Sequence, residues 1–395
     1  MSLSPLPLSY CTNVHPGVTL AEVEDGLARY AALVRQRFNW PLAAGLWLAE
    51  PVVKEILSDA NGEHRLCVRL AERGLTCHTL NAFPFGNFHD TRVKENVYLP
   101  DWSNPARLGY TLQCAQVLAG LLRHTDEGSI STLPLGFKGF EHPPTFIDAV
   151  LDQLIQCARG LAQIAERTQN TIRLAIEPEP LCLLETTTEA IDFFDRLRDR
   201  ARRQGSLEAV QTHIGLCFDV CHQAVEFEDV AESIRRLDRA GVRINKVHIS
   251  CALEIGDPMK NRAGREALKR YVEPRYLHQT IAKMPDGQLA RLADLNEGFL
   301  ANPPADFAAA SAWRVHFHVP VYVEGFGPLA TTRPALREAL MAVSALDYAP
   351  HLEVETYTWQ VMPGAGRVDL VEGLTRELLA TEQLLAEIPF RSTQA

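Results

Sequence analysis

The chain has 395 residues, of which 46% are hydrophobic, enough to bury one large core or two modest ones. Its formal net charge is −10, so it lacks the basic surface that nucleic-acid binding requires. No stretch has the length and apolarity of a membrane span, and the first residues lack the pattern of a secretory leader. The nine cysteines form neither a disulfide pattern nor a zinc-ligand pattern. We therefore expect reduced core cysteines in a cytoplasmic protein.

Short apolar or β-branched runs alternate with longer amphipathic runs along the chain. The eight predicted strands are, in chain order, LSYCTNV, AAGLWLA, LTCHTLNAF, SISTLPL, IRLAIEP, IGLCFDV, INKVHIS and HLEVETY. Helical patterns lie between them, such as LAEVEDGLARYAALVRQRF after the first strand and FIDAVLDQLIQCARGLAQIAERT after the fourth. Two helices are predicted to begin with a capping box, formed by Thr19 with Glu22 and by Thr186 with Glu189.

This alternation predicts an α/β fold built from right-handed βαβ units with a parallel sheet. Eight units favour a (β/α)8 TIM barrel over a doubly wound sheet, and no G-x-G-x-x-G follows the first strand. We expect residues 1–395 to form a single TIM-barrel domain. After INKVHIS the chain runs about sixty residues before WRVHFHVPVYVEGFG, which is far longer than an ordinary βα loop. We predict that residues 254–312 form an insertion after the seventh strand, a lid over the C-terminal face of the barrel.

Polar residues stand at the ends of the last four barrel strands: Glu177 in LAIEPEP, Asp219 in LCFDVCHQA, His248 in VHIS and Glu355 in LEVETY. The C-terminal strand ends of a barrel meet at one face, where the chemistry of this fold takes place. Each residue taken alone is more often a helix cap or an ion-pair partner. Together they predict a site for a divalent metal (Mn, Mg, Co or Zn), which offsets the cost of burying three carboxylates. Glu353 shares the strand face of Glu355 and is an alternative ligand.

These motifs resemble those of the xylose isomerase-like TIM-barrel superfamily, which contains sugar isomerases, sugar epimerases and the endonuclease IV enzymes. LAIEPEP resembles the fifth-strand motif of the superfamily, in which a metal-binding Glu precedes Pro, and LCFDVCHQA resembles its sixth-strand D-x-x-H motif. VHIS and LEVETYTW are similar to its seventh and eighth strands. More narrowly, NVHPG, HTLNAFPFGNFH and VHFHVP resemble segments of the EboE proteins, members of this superfamily named for an operon linked to metabolite traffic.

The resemblance implies a metal-dependent isomerase or epimerase that acts on a small sugar-like or hydroxy-carbonyl metabolite. In the epimerase-like members two metal-bound glutamates move a proton next to a carbonyl, and Glu177 and Glu355 would fill these catalytic roles. The alternative is a TIM barrel that binds or carries a metabolite without turning it over. An endonuclease IV-like hydrolase is disfavoured, because the fourth strand lacks the expected histidine and the chain is acidic. We expect a small-molecule substrate, no nucleic acid and no membrane insertion, and the sequence is compatible with a homo-oligomer.

Six further residues are predicted to contact the substrate. Alternation along VHFHV makes two of the histidines point the same way, where they can ligate a second cation, hold a substrate anion, or merely pair with carboxylates. An Asn or an aromatic residue at the start of a loop often only shapes the backbone or the core. The predicted substrate contacts are His222, His78, His316, His318, Asn81 and Trp359.

Overall fold

A computed structural model describes residues 4–364 and 368–388, so the two ends of the predicted 1–395 domain lie outside the described residues. Eight parallel strands form a closed barrel, because the first strand pairs with both the second and the eighth. The predicted (β/α)8 barrel is confirmed, and each barrel strand overlaps one predicted strand. The barrel strands are Leu8–Cys11, Leu42–Trp47, Thr79–Asn81, Glu127–Thr132, Thr171–Ile176, Ile214–Asp219, Ile244–Ile249 and His351–Val354.

Helices connect the strands. Both predicted capping boxes are present, at Thr19 with Glu22 and at Thr186 with Glu189. The α-helices are Leu20–Gly26, Ala32–Arg37, Glu50–Ser58, Gly62–Glu72, Pro105–Leu121, Phe146–Thr168, Thr187–Arg203, Leu207–His213, Val220–Val225, Val230–Arg239, Arg262–Leu268, Glu297–Ala301, Ala305–Ala308, Arg333–Val343 and Leu370–Glu387. No helix among the described residues is both long and apolar enough to span a bilayer.

The third barrel strand is interrupted. A two-residue piece, Leu75–Thr76, pairs with the start of the second strand, whereas Thr79–Asn81 pairs with its end after a shift of one residue in register. The extra residue falls at Cys77 and His78, a bulge of the kind that redirects a side chain. His78 precedes the strand Thr79–Asn81 and lies towards the N-terminal end of the barrel, with its ring 4.8 Å from that of His351.

A six-stranded antiparallel sheet lies between the seventh and eighth barrel strands in sequence. Its first strand begins two residues after the seventh barrel strand ends, so the sheet starts at the C-terminal mouth of the barrel. Within the predicted insertion the strands of this sheet alternate with short helices, and of EALKRYVEPRYLHQTIAKM only the first residues are helical. The six strands are Cys251–Gly256, Thr280–Lys283, Leu289–Leu292, Ala312–Val319, Gly325–Phe326 and Leu329–Thr331.

Candidate metal centre

The four predicted metal ligands lie together at the C-terminal mouth of the barrel. Glu177 follows the fifth strand, Asp219 ends the sixth, His248 lies near the end of the seventh, and Glu355 follows the eighth. One donor atom from each residue lies within 4.8 Å of the others. All four side chains are buried. The strand-end positions thus bring three carboxylates and one imidazole to a common point.

The Nδ1 atom of His248 is at the centre of this cluster. It lies 3.1 Å from Oε1 of Glu177, 3.1 Å from Oε2 of Glu355 and 3.4 Å from Oδ2 of Asp219. Burial disfavours the charged imidazole, but Cys217, Glu177 and Glu355 raise the pKa of His248 well above its usual value. The surroundings therefore attract positive charge to this point.

Two oxygen atoms of the cluster have no hydrogen-bond partner. Oε2 of Glu177 and Oδ2 of Asp219 are both buried and unpartnered. An unsatisfied buried carboxylate oxygen is costly, and a divalent cation satisfies it directly. Three carboxylates and one imidazole nitrogen suit Mn, Mg, Co or Zn. The residues present therefore fit a divalent cation.

Asp219 uses its two oxygens for different purposes. Oδ1 accepts hydrogen bonds from the backbone N–H of His222 (3.1 Å) and from the hydroxyl of Ser250 (2.7 Å). The first of these bonds caps the helix Val220–Val225. Oδ2 faces the cluster and remains free for a ligand. The capping role and the ligand role of this side chain are therefore compatible.

Glu355 is held by two amide side chains. Its Oε1 accepts hydrogen bonds of 2.9 Å from Nδ2 of Asn13, which follows the first strand, and of 2.9 Å from Nδ2 of Asn81, which ends the third. Oε2 is left facing His248. Burial alone would raise the pKa of Glu355, but the adjacent His248 holds it below its usual value. Asn13 and Asn81 thus orient the carboxylate of a predicted metal ligand.

Glu353, the alternative ligand, lies one layer deeper in the barrel. Its Oε1 is 2.8 Å from Nζ of Lys246 and 3.5 Å from Nε2 of His248, the ring nitrogen that points away from the cluster. Burial alone would raise the pKa of Glu353, but Lys246 and His248 lower it to about 2. The carboxylate that the structure places in the cluster is Glu355.

Three histidines form a second group beside the first. The rings of His222, His316 and His318 have centroids 4.5 to 5.5 Å apart. Nε2 of His222 is 3.1 Å from Nε2 of His316. Oδ2 of Asp219 lies 3.8 Å from Nε2 of His222 and 4.0 Å from Nε2 of His318. Asp219, His222 and His318 each have a donor atom within 4.8 Å of the others, and His316 contacts this group through His222.

The other ring nitrogen of each histidine is held by an oxygen acceptor. These Nδ1 contacts, of 2.8 to 3.0 Å, identify Nδ1 as a protonated nitrogen of each ring. Between His222 and His316 one Nε2 donates to the other. Against the effect of burial, the nearby carboxylates, Asp219 first, raise the pKa of His222, whereas burial lowers the pKa of His316. The acceptors are the carbonyl of Pro178 for His222, Oε1 of Gln279 for His316 and the carbonyl of Glu355 for His318.

A cavity of about 510 Å³, its open mouth included, lies over both groups. One side is polar and contains Glu177, Glu355, His222 and His316. The other side is largely aromatic and aliphatic, and the rings of Phe88, Tyr276 and Tyr357 pack there with centroids 4.9 to 5.3 Å apart. The lining residues are Asn13, Asn81, Phe83, Pro84, Phe88, Val93, Lys94, Val97, Tyr98, Glu177, Glu179, His222, Tyr276, Leu277, Gln279, His316, Glu355 and Tyr357.

Three of the predicted substrate contacts, His78, His318 and Trp359, are not among the residues that line this cavity. His78 precedes the strand Thr79–Asn81 and lies beside His351, the first residue of the eighth strand, towards the N-terminal end of the barrel. The indole N–H of Trp359 donates a 2.8 Å hydrogen bond to Oε2 of Glu377 in the last helix. The place of the tryptophan is therefore fixed by the helix packed behind it.

Other cavity residues were not predicted from the sequence. Glu179 accepts hydrogen bonds from the hydroxyl of Tyr98 (2.6 Å) and from the amide of Gln279 (3.0 Å). Burial raises the pKa of Glu179 to about 7. A second Glu two positions after Glu177, between two prolines, is a signal that could have identified it. Tyr98 and Gln279 lie outside the barrel strands, and the sequence gives no comparable signal for them.

Comparisons with known proteins bear on the fold. No family model and no curated protein matches the chain. A xylose isomerase-like TIM barrel protein from Mycobacterium smegmatis, solved in complex with magnesium, is 11% identical with a TM-score of 0.51, and the match covers 98% of each chain. The IolI protein with a bound zinc atom is 12% identical with a TM-score of 0.49, covering 97% of this chain and 99% of that one. A xylose isomerase domain-containing protein from Salmonella typhimurium LT2 is 12% identical with a TM-score of 0.46, covering 98% and 100%. The chain has the fold of the xylose isomerase-like TIM barrel proteins.

Proposed function

We propose that the protein is a metal-dependent isomerase or epimerase that acts on a small hydroxy-carbonyl compound of the sugar class. The observation that carries the proposal is the convergence of three buried carboxylates on one imidazole under a cavity. The magnesium bound by the Mycobacterium smegmatis protein of the same fold supports a divalent cation here.

The proposed reaction moves a proton next to a carbonyl. A divalent cation held by Glu177, Asp219, His248 and Glu355 would polarise the carbonyl and make the neighbouring C–H more acidic. One oxygen of the Glu177 carboxylate would ligate the cation, and the other would accept that proton. In an epimerisation Glu355, on the eighth strand, would enter protonated and give its proton to the opposite face of the same carbon, and the proton on Glu177 would leave to solvent. In an isomerisation the protonated Glu177 would return its proton to the former carbonyl carbon, while the hydroxyl proton moves to the former carbonyl oxygen.

The charges of the cavity favour a substrate without a phosphate group. Lys94 is the only lysine or arginine among the lining residues. Its ammonium already donates to the carbonyls of Glu273 and Tyr276 and to Oδ2 of Asp294, at 2.6 to 3.1 Å. A phosphate there would face Glu179 and the other carboxylates without a free cationic partner. The aromatic side of the cavity suits the C–H face of a free sugar.

We propose that residues 254–312 cover the mouth, a proposal supported by the cavity contacts of Tyr276, Leu277 and Gln279. The EboE-like segments support a narrower hypothesis, that the reaction serves an Ebo-type metabolite traffic pathway in the cytoplasm.

Deuterium exchange tests the reaction. Metal-stripped protein reloaded with Mn²⁺ is incubated in D₂O with free aldoses and ketoses and with their phosphate esters, and deuterium next to the carbonyl is measured by mass spectrometry. We expect metal-dependent exchange with a free sugar, reduced at least about 100-fold by Glu177→Gln or Glu355→Gln. Glu166→Gln, on the exposed surface of the helix Phe146–Thr168, is the matched control. Exchange that survives both active-site replacements would contradict the proposal, and sugar binding without exchange would favour the carrier alternative.

A further inference from the structure

We propose that Glu353 and Lys246 form a positioning pair that holds His248 from below and sets the metal affinity of the centre. This inference rests on the proposed metal centre. Both members of the pair are fully buried in the barrel interior, and Nζ of Lys246 is 2.8 Å from Oε1 of Glu353. Glu353 also lies in register with His248 on the neighbouring strand. The pair therefore lies directly beneath the ligand imidazole.

The orientation of His248 connects the pair to the centre. Nδ1 faces the three carboxylates of the cluster, while Nε2 is buried, has no hydrogen-bond partner, and lies 3.5 Å from Oε1 of Glu353. A histidine that ligates a metal through one nitrogen commonly presents the N–H of the other nitrogen to a carboxylate, which fixes the ring and raises its basicity. Glu353 is placed to do this for His248.

Lys246 keeps that carboxylate in place. Besides its contact with Glu353, its Nζ donates to the carbonyl of Leu80 (3.3 Å) on the third strand and to the hydroxyl of Ser131 (3.2 Å) on the fourth. Both strands lie across the barrel from the seventh strand, which carries Lys246. An ion pair inside a core is stable only when its remaining donors and acceptors are satisfied. The lysine is therefore built into the barrel from several strands.

The second strand leaves room for the carboxylate. A Cβ atom at Gly45 would lie 1.7 Å from Oε2 of Glu353, so no larger residue fits there while this rotamer is kept. On the other side Oε2 accepts a hydrogen bond of 3.1 Å from Ser9. The position of Glu353 is thus shaped by residues from three strands, which is consistent with a fixed support and not with a mobile metal ligand.

Metal titration alone tests the inference. Metal-free protein is titrated with Co²⁺, with the visible absorption of the bound ion as the readout, for the wild type, Glu353→Gln and the double variant Glu353→Gln/Lys246→Met. We expect the Glu353→Gln replacement to weaken Co²⁺ binding about 10- to 100-fold, as for other residues that support a metal-ligating histidine. The control is Asp152→Asn, which removes an ion pair with Arg200 on the outside of the barrel and should leave Co²⁺ affinity unchanged.

The double variant distinguishes an effect on the position of His248 from a general loss of stability. It removes the unpaired ammonium that Glu353→Gln leaves behind, so it should recover stability and carry the test even if the single variant does not fold. The proposal predicts that its Co²⁺ affinity stays low. Wild-type affinity in the double variant, or in Glu353→Gln itself, would overturn the positioning role. A wild type that binds no Co²⁺ would instead remove the metal centre of the proposed function.

Discussion

Replacing Asp219 by Asn separates the two tasks of this side chain. The amide oxygen of Asn can keep both hydrogen bonds of Oδ1, from the backbone of His222 and from Ser250, and Asn caps a helix as well as Asp does. The group that changes is Oδ2, the unpartnered atom that faces the cluster. We therefore expect a folded protein with a damaged metal site.

The size of the effect follows from the linkage between binding and stability. At a free metal concentration of 100 times the wild-type Kd, binding stabilises the folded protein by about 2.7 kcal/mol. If the loss of one charged ligand weakens binding about 100-fold, the same concentration adds only about 0.4 kcal/mol. For a chain of this length the wild-type increment corresponds to a rise in Tm of about 3 °C.

Calorimetric melting of metal-stripped protein, with and without Mn²⁺, measures the stabilisation by metal in the wild type and in Asp219→Asn. Mn²⁺ is preferable to Zn²⁺, because the nine free thiols of the chain would bind Zn²⁺ in the unfolded state. Asp219→Ala is the comparison variant, since it loses the cap as well as the ligand and should also melt lower without metal. If Mn²⁺ stabilises Asp219→Asn as much as it stabilises the wild type, the assignment of Oδ2 as a metal ligand is refuted.

Three further results are expected. Gly45→Ala places a methyl group against Glu353 and should cost about 1–3 kcal/mol in urea unfolding, and an unchanged midpoint would mean that the carboxylate can move away. The double replacement His316→Ala/His318→Ala should weaken the binding of a free sugar while the protein still binds one Mn²⁺ ion per chain, and an unchanged sugar affinity would assign these histidines to another role. Burial raises the pKa of Glu377 to about 7, so its proton favours the folded state. Wild-type stability should therefore fall by about 3 kcal/mol relative to Glu377→Gln as the pH rises from about 4.5 to 7 and beyond, and parallel pH curves would contradict this.

The barrel could be predicted because its strands are buried on both faces. Such strands appear in the sequence as short continuous apolar runs, and the helices between them have their own periodicity. A residue at the C-terminal end of a barrel strand is then expected at the face of the barrel where all these strand ends meet. For this reason Glu177, Asp219, His248 and Glu355 could be grouped although they are far apart in the chain.

Residues away from the strand ends were harder to place. His78 follows an apolar run as the other candidates do, but it precedes the strand Thr79–Asn81 instead of ending it, so it lies towards the N-terminal end of the barrel. Nothing in the local sequence indicates that the third strand is interrupted at Cys77 and His78. Trp359 pairs with Glu377, 18 residues farther along the chain, and no periodicity relates the two. By contrast, Lys246 stands two residues before His248 in an apolar strand, a signal for a buried partner that could have been used.

The antiparallel sheet could not be predicted from local sequence patterns. Its strands are two to eight residues long, and Cys251–Gly256 pairs with Ala312–Val319 across the whole intervening segment. Pairing over such a separation depends on side-chain packing between distant segments, and the local pattern does not encode it. The cavity residues of this region, Tyr276 and Gln279, were therefore not predicted.

The most direct test of the metal centre is a crystal structure of the protein grown with Mn²⁺, with the ion located by its anomalous scattering. The account predicts one strong peak at about 2.0–2.6 Å from donor atoms of Glu177, Asp219, His248 and Glu355. A peak elsewhere in the molecule, or the four side chains turned away from one another at full Mn²⁺ saturation, would contradict it.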